Sequence, residues 1–154
     1  MKLNIYNWEI LKKSFSEFPF SKKDIKESLL KNFSVYNISE LGIIFVSEEY
    51  IKDLNKQYRD KDSVTDVLSF VVDEKPLVGE VYICPEFVKA SYNSEEIVRD
   101  MAHGILHVTG EDHTLEFTLE NLSKEKMFVK QEDILQNILN EISSRSGQSR
   151  KNIS

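Results

Sequence analysis

Two periodicities run along this chain, and the switches between them mark its elements. Residues 2–6 alternate, with Leu3 and Ile5 on one side, and predict a short strand. Residues 8–20 carry Trp8, Ile10, Leu11, Phe15, Phe18 and Phe20, a set that reads as core rather than as a stacking platform for bases. Ser21 followed by Asp24 opens a helix to about Phe33, with Ile25, Leu29, Leu30 and Phe33 inward. ELGIIFV at 40–46 is apolar nearly throughout, as a strand buried on both faces is. Ser47, with Glu48 and Glu49, starts a second helix that turns Ile51, Leu54 and Tyr58 inward and ends before the charged loop RDKDS. VLSFVV at 67–72 and EVYIC at 80–84 are paired as a hairpin across a polar turn containing Pro76 and Gly79. Pro85 begins a short helix to about Tyr92.

The next helix has Ser94 as its expected N-cap, Glu95 and Glu96 at its positive end, and Ile97, Val98, Met101, Ala102, Ile105 and Leu106 at helical spacing. Gly110 is the expected left-handed stop. After a polar connection at 115–122, an amphipathic helix is expected from about Ser123 to about Ile142. Its inner stripe is Met127, Phe128, Ile134, Leu135, Ile138 and Leu139. The end, SSRSGQSRKNIS, is polar and aperiodic. The prediction is an α+β (mixed α/β) fold: a small mixed sheet of about four strands with about five helices. One domain spans 1–143, and 144–154 is a disordered tail.

Composition narrows the function classes. The chain has 154 residues, 40% apolar and 30% charged, which suits a globular protein with a proper core. Its net charge of −6 argues against a general nucleic-acid coat, because phosphate binding needs local positive charge. Lys12, Lys13, Lys22, Lys23, Lys26 and Lys31 cluster near the start; with Glu17, Asp24 and Glu27 interleaved they read as a solvated face or as an RNA contact. No run of eighteen apolar residues predicts a membrane span, and MKLNIYNWEILKK lacks the apolar core of a signal peptide. The single cysteine, Cys84, cannot form an internal disulfide and fits a reduced, cytoplasmic thiol.

All three histidines fall in HGILHVTGEDH, residues 103–113. His103 and His107, four apart, project from one helix face. A turn at Gly110 can fold His113 over them. Three imidazoles converging on one point describe a zinc site with an open fourth position, at the end of a central helix. The same ligand spacing occurs in metzincin peptidases, which carry a Glu general base directly after the first His. Here that position is Gly104, which cannot move a proton.

LNKQYRDKDSVTDVLSF at 54–70, GEV at 79–81 and HGILHVTGEDH together resemble the YbeY family of bacterial endoribonucleases and rRNA maturation factors. Order and spacing agree from about residue 40 to 140. The resemblance implies that His103, His107 and His113 bind one Zn²⁺ per chain and that Arg59 is the basic residue of the active-site cleft. It implies action on single-stranded RNA, in maturing the 3′ end of small-subunit (16S) rRNA and in ribosome quality control. Small-subunit ribosomal proteins and an associated GTPase are the implied partners. Val108 and Thr109 depart from the family's leucines. Glu111 replaces a frequent aromatic and adds negative charge near the metal.

Cleaving RNA requires stabilising negative charge on phosphorus oxygens, which a guanidinium does with two parallel donors. Arg59 is the candidate; its alternative is a surface arginine paired with Asp60 or Asp62. Glu80, Asp66 and Asp112 are candidate bases or partners for an imidazole N–H, while Thr65 and Asp66 also suit a turn cap. Two other functions stay open: a zinc metallopeptidase using Glu80 or Glu111 as base, and a non-catalytic ribosome-associated zinc-binding module.

Overall fold

A computed structural model describes the backbone of residues 1–110 and 117–153, and the side-chain surroundings of 1–110 and 126–144. Four strands form one mixed sheet: β1 (Lys2–Tyr6), β2 (Ile38–Phe45), β3 (Val67–Glu74) and β4 (Leu77–Ile83). Their order is β1-β2-β4-β3. β1 with β2 and β2 with β4 are parallel; β3 and β4 form an antiparallel hairpin. β2 is therefore interior, as its unbroken apolar run predicts, and β3 is an edge.

Among the described residues six helices surround the sheet: α1 (Trp8–Ser14), α2 (Lys22–Asn32), α3 (Glu48–Arg59), α4 (Pro85–Lys89), α5 (Glu95–Val108) and α6 (Phe117–Ile153). The α+β class follows, with one helix more than the sequence pattern indicates. α3 covers one face with Ile51, against Val46, Leu68 and Cys84. The other helices build the larger core on the opposite face, where Leu41, Ile43, Val81 and Ile83 meet Leu11, Leu29, Val98, Met101, Ile105 and Leu135. The hydroxyls of Ser21 and Ser47 accept from the backbone N–H of Asp24 and Tyr50, at 3.0 and 3.1 Å, and start α2 and α3 as expected.

Several boundaries depart from the sequence pattern. Gly79 lies inside β4, paired with Val71 and Leu41, not in the turn. A Cβ there would stand 2.5 Å from Val108 Cγ1, so this glycine serves a close helix–strand approach. Ser94 makes no side-chain cap; Asn93 Oδ1 accepts from Glu95 N–H at 3.1 Å instead. Tyr58 is 58% exposed, because it lies edge-on against Phe70 rather than beneath it. Phe128 is likewise 58% exposed: the inward stripe runs through Met127, Gln131, Ile134, Leu135, Ile138 and Ile142, and a glutamine takes one of its places. α6 begins before Ser123, and its bounds are Phe117 and Ile153.

Candidate active site and metal centre

α5 lies on β4 through two reciprocal glycine–valine contacts. Gly104 faces Val81 and Gly79 faces Val108, with a built Cβ at 2.5 Å from a valine methyl in each case. This approach turns His103 and His107 along α5 toward the outer edge of β3. There a cleft of about 450 Å³ is lined by Arg59, Val67, Ser69, Phe70, His103 and His107, among others. The two imidazoles meet edge to face, with their Nε2 atoms 2.8 Å apart.

The hydrogen-bond network fixes the tautomer of one ring. Gln131 Nε2 donates to Glu132 Oε2 at 3.1 Å, so its Oε1 faces His103 Nδ1, at 2.7 Å. His103 therefore carries its proton on Nδ1 and turns an Nε2 lone pair to the cleft. His107 Nε2 lies 2.8 Å from that lone pair. Two nitrogens on a tetrahedral zinc, each about 2.0 Å from it, stand about 3.3 Å apart. Opening the pair by about half an ångström would seat one cation, so the donor set fits a zinc ion. His113 lies outside the described residues, as do Glu111 and Asp112, and Gly110 has the left-handed φ of 85° that the turn requires.

Arg59 reaches the cleft from the opposite wall. It is the last residue of α3, which Asp60 ends in a left-handed conformation with φ 57°. Buried Asn55 ties down the loop that follows by donating to Ser63 O at 2.9 Å. The Arg59 guanidinium sits 5.8 Å from the Phe70 ring centre and donates from Nη2 to Ser69 O at 3.1 Å, on the outer edge of β3. Neither Asp60 nor Asp62 pairs with it; Asp62 stands 4.0 Å from Lys52 and Lys56.

The candidate bases separate. Glu80 lies on the other face of the sheet, where it accepts from Tyr82 O–H at 3.3 Å, because side chains alternate along β4 and Val81 faces α5. Burial and the nearby Glu80 charge push the Tyr82 hydroxyl up to about 12. Asp66 is not merely a turn cap. Although Thr65 Oγ1 donates to its Oδ1 at 3.3 Å, its carboxylate joins Glu96 and Asp100 in a second pocket beside His103. Burial, and then the charge and hydrogen bonding of Asp66, push Asp100 up to about 10. Arg99 locks the rim, bridging Glu96 at 2.5 Å and Glu132 at 3.0 Å. These two carboxylates hold the guanidinium proton more tightly than usual, and Arg99 in turn lowers Glu132.

Asp100 and Gln131 are site residues that the sequence pattern passed over. The signal for Asp100 was available: an acidic residue on the apolar stripe of α5, four after Glu96 and three before His103, on the histidine face. Gln131 was hidden, since nothing local connects α6 to α5.

A family model described as "Endoribonuclease YbeY" matches residues 9–139. The Endoribonuclease YbeY of Persephonella marina is 36% identical over 145 residues, covering 84% of this chain and 91% of that protein. That of Thermotoga neapolitana is 38% identical over 130 residues, covering 77% and 84%. The solution structure of a Thermotoga maritima protein superposes with a TM-score of 0.57 at 29% identity, covering 94% of this chain and 92% of that one. By sequence over most of its length, this chain belongs to the YbeY endoribonuclease family.

Proposed function

We propose that this chain is a zinc-dependent endoribonuclease specific for single-stranded RNA. In this reading it acts in maturation of the 3′ end of small-subunit rRNA and in ribosome quality control, in the cytoplasm, with small-subunit ribosomal proteins and a GTPase as partners. Membership of an endoribonuclease family supports the reaction class. The observation that carries the site assignment is the meeting of His103, His107 and Arg59 in one cleft. No helix among the described residues is long and apolar enough to cross a membrane.

His103 and His107 hold the cation, with His113 as third ligand. When bound, zinc supplies Lewis-acid chemistry at the phosphodiester. Gln131 orients His103 by accepting from its Nδ1–H, which keeps the Nε2 lone pair on the cleft side. Arg59 stabilises the negative charge that builds on the phosphorus oxygens. Its anchor on Ser69 O and its position over Phe70 limit the freedom it must lose to do so.

Arg59→Ala is expected to keep fold and metal but to cleave single-stranded RNA at least about tenfold more slowly, a loss of about 1.4 kcal/mol of transition-state stabilisation. Unchanged cleavage would remove Arg59 from the mechanism. His107→Ala should lose metal and activity together. Retained activity after complete zinc removal would instead favour a non-catalytic role for the ion.

A further inference from the structure

We propose that Asp66, Glu96 and Asp100 form a second cation site, separate from the histidine pair, that takes a hard divalent ion of about Ca²⁺ or Mn²⁺ size. One ligand atom from each carboxylate lies within 4.8 Å of the others. They line a pocket of about 190 Å³ whose wall also includes His103, Arg99 and Gln131. An all-oxygen donor set selects hard cations over zinc. Two oxygens on opposite sides of a Ca²⁺ ion stand about 4.6–5.2 Å apart, and on Mg²⁺ about 4.2 Å at most. A spread of up to 4.8 Å is spanned by Ca²⁺ without rearrangement, while a smaller ion would draw the three carboxylates together.

An acidic cluster alone does not make a site, and the second observation is Asp100 itself. This residue is only 3% exposed, and its Oδ2 has no hydrogen-bond partner among the described residues. A buried carboxylate oxygen left unpaired is costly, and a cation would remove that cost. The charge balance points the same way. Among the described residues, Arg99 is the one basic side chain lining the pocket besides the His103 ring, and Glu96 and Glu132 already engage it. The carboxylates of Asp66 and Asp100 are left facing each other without a countercharge. In the absence of a cation, burial and the neighbouring Asp66 charge favour a proton on Asp100. A divalent ion would displace that proton and neutralise the wall beside the histidines. The proposal needs nothing from the nuclease reading.

The test is titration of Mn²⁺ into the full, zinc-loaded chain, with bound ion read by electron paramagnetic resonance and Ca²⁺ and Mg²⁺ as competitors. One Mn²⁺ beyond the zinc is expected, displaced by Ca²⁺ more readily than by Mg²⁺. Asp100→Asn, and independently Asp66→Asn, should weaken it at least tenfold while zinc content and circular dichroism stay unchanged. A protonated-carboxyl infrared band in the metal-free chain should disappear at saturating Mn²⁺. Mn²⁺ affinity that survives both substitutions overturns the proposal. So does loss of Mn²⁺ binding in His107→Ala with retention in Asp100→Asn, which would place the ion at the histidines, or a carboxyl band that persists with Mn²⁺ bound.

Discussion

Gly104→Ala should destabilise this protein, although the same change in an ordinary helix interior would stabilise it. A Cβ at Gly104 would stand 2.5, 3.1 and 3.3 Å from Val81 Cγ1, Cγ2 and Cβ. Val81 is fully buried in an interior strand, so its methyls cannot swing into solvent. Restoring ordinary contact means moving α5 off β4 by roughly 1 Å. Forcing an extra methyl into a packed core costs about 1–3 kcal/mol. Gaining alanine's helix propensity returns about 1 kcal/mol. The net loss is about 0–2 kcal/mol, or up to roughly 8 °C in Tm for a domain of this size. Thermal melts of Gly104→Ala, Val81→Ala and the double variant form the cycle that isolates the contact. With Val81 trimmed, the added methyl should cost nothing or stabilise, giving a coupling of about 1 kcal/mol or more. Zinc affinity should fall in the single variant, because His103 is the adjacent residue on the displaced helix. A stabilised Gly104→Ala, or the same cost with and without the Val81 methyls, would refute the close-approach argument.

Other residues test other joints. Gln131→Leu removes the acceptor for His103 Nδ1–H and should weaken zinc binding about 10–100-fold in chelator competition; unchanged affinity would reject tautomer control. Glu141→Ala strands the buried Ser28 hydroxyl that now donates to it at 2.7 Å, and should cost about 1–3 kcal/mol in urea unfolding. Lys31→Ala, which removes the exposed lysine of an ion pair with the same Glu141, should fall within about 0.5 kcal/mol of wild type. Burial pushes the Cys84 thiol up, so less thiolate is present at a given pH; at pH 8 the folded protein should react with a disulfide reagent far more slowly than the urea-unfolded chain. Equal rates would place Cys84 at the surface.

What the sequence revealed of the fold was the part governed by local periodicity. The interior strand at 38–45, the serine caps of α2 and α3, and the glycine stop at Gly110 are each written within a few residues of where they act. Gly79 was misread because a glycine near a proline fits a turn as well as a tight interface; only the distant Val108 decides between them. The face on which Glu80 lands depends on strand register, which one sequence does not display when Val78 and Tyr82 flank it as readily as Gly79 and Val81. In the site, the histidines stood out through spacing along one helix. Arg59 drew notice through its motif, but its bond to Ser69 O joins α3 to a strand ten residues on. The contact of Gln131 with His103 spans 28 positions and has no local signature.

The glycine–valine contact also bears on which bond the cleft can break. Any side chain at Gly104 would grow into Val81, so the position where metzincins place their base is closed by packing, beyond the identity of one residue. Glu80 is across the sheet, and no carboxylate appears among the described residues that line the cleft beside Arg59 and the histidines. A peptide bond needs a proton taken up at its nucleophile and delivered to a poor leaving amine. A phosphodiester demands above all neutralisation of charge spread over its oxygens, which a guanidinium facing a cation supplies from two sides. In the proposed reading, Arg59 and a cation held by the histidines would meet the second requirement; Glu111, the other candidate peptidase base, lies outside the described residues. A Glu introduced at position 104 should therefore unfold or displace α5 rather than confer peptidase activity. Peptide cleavage by a stably folded, zinc-loaded Gly104→Glu variant would show that the barrier is chemical and not steric.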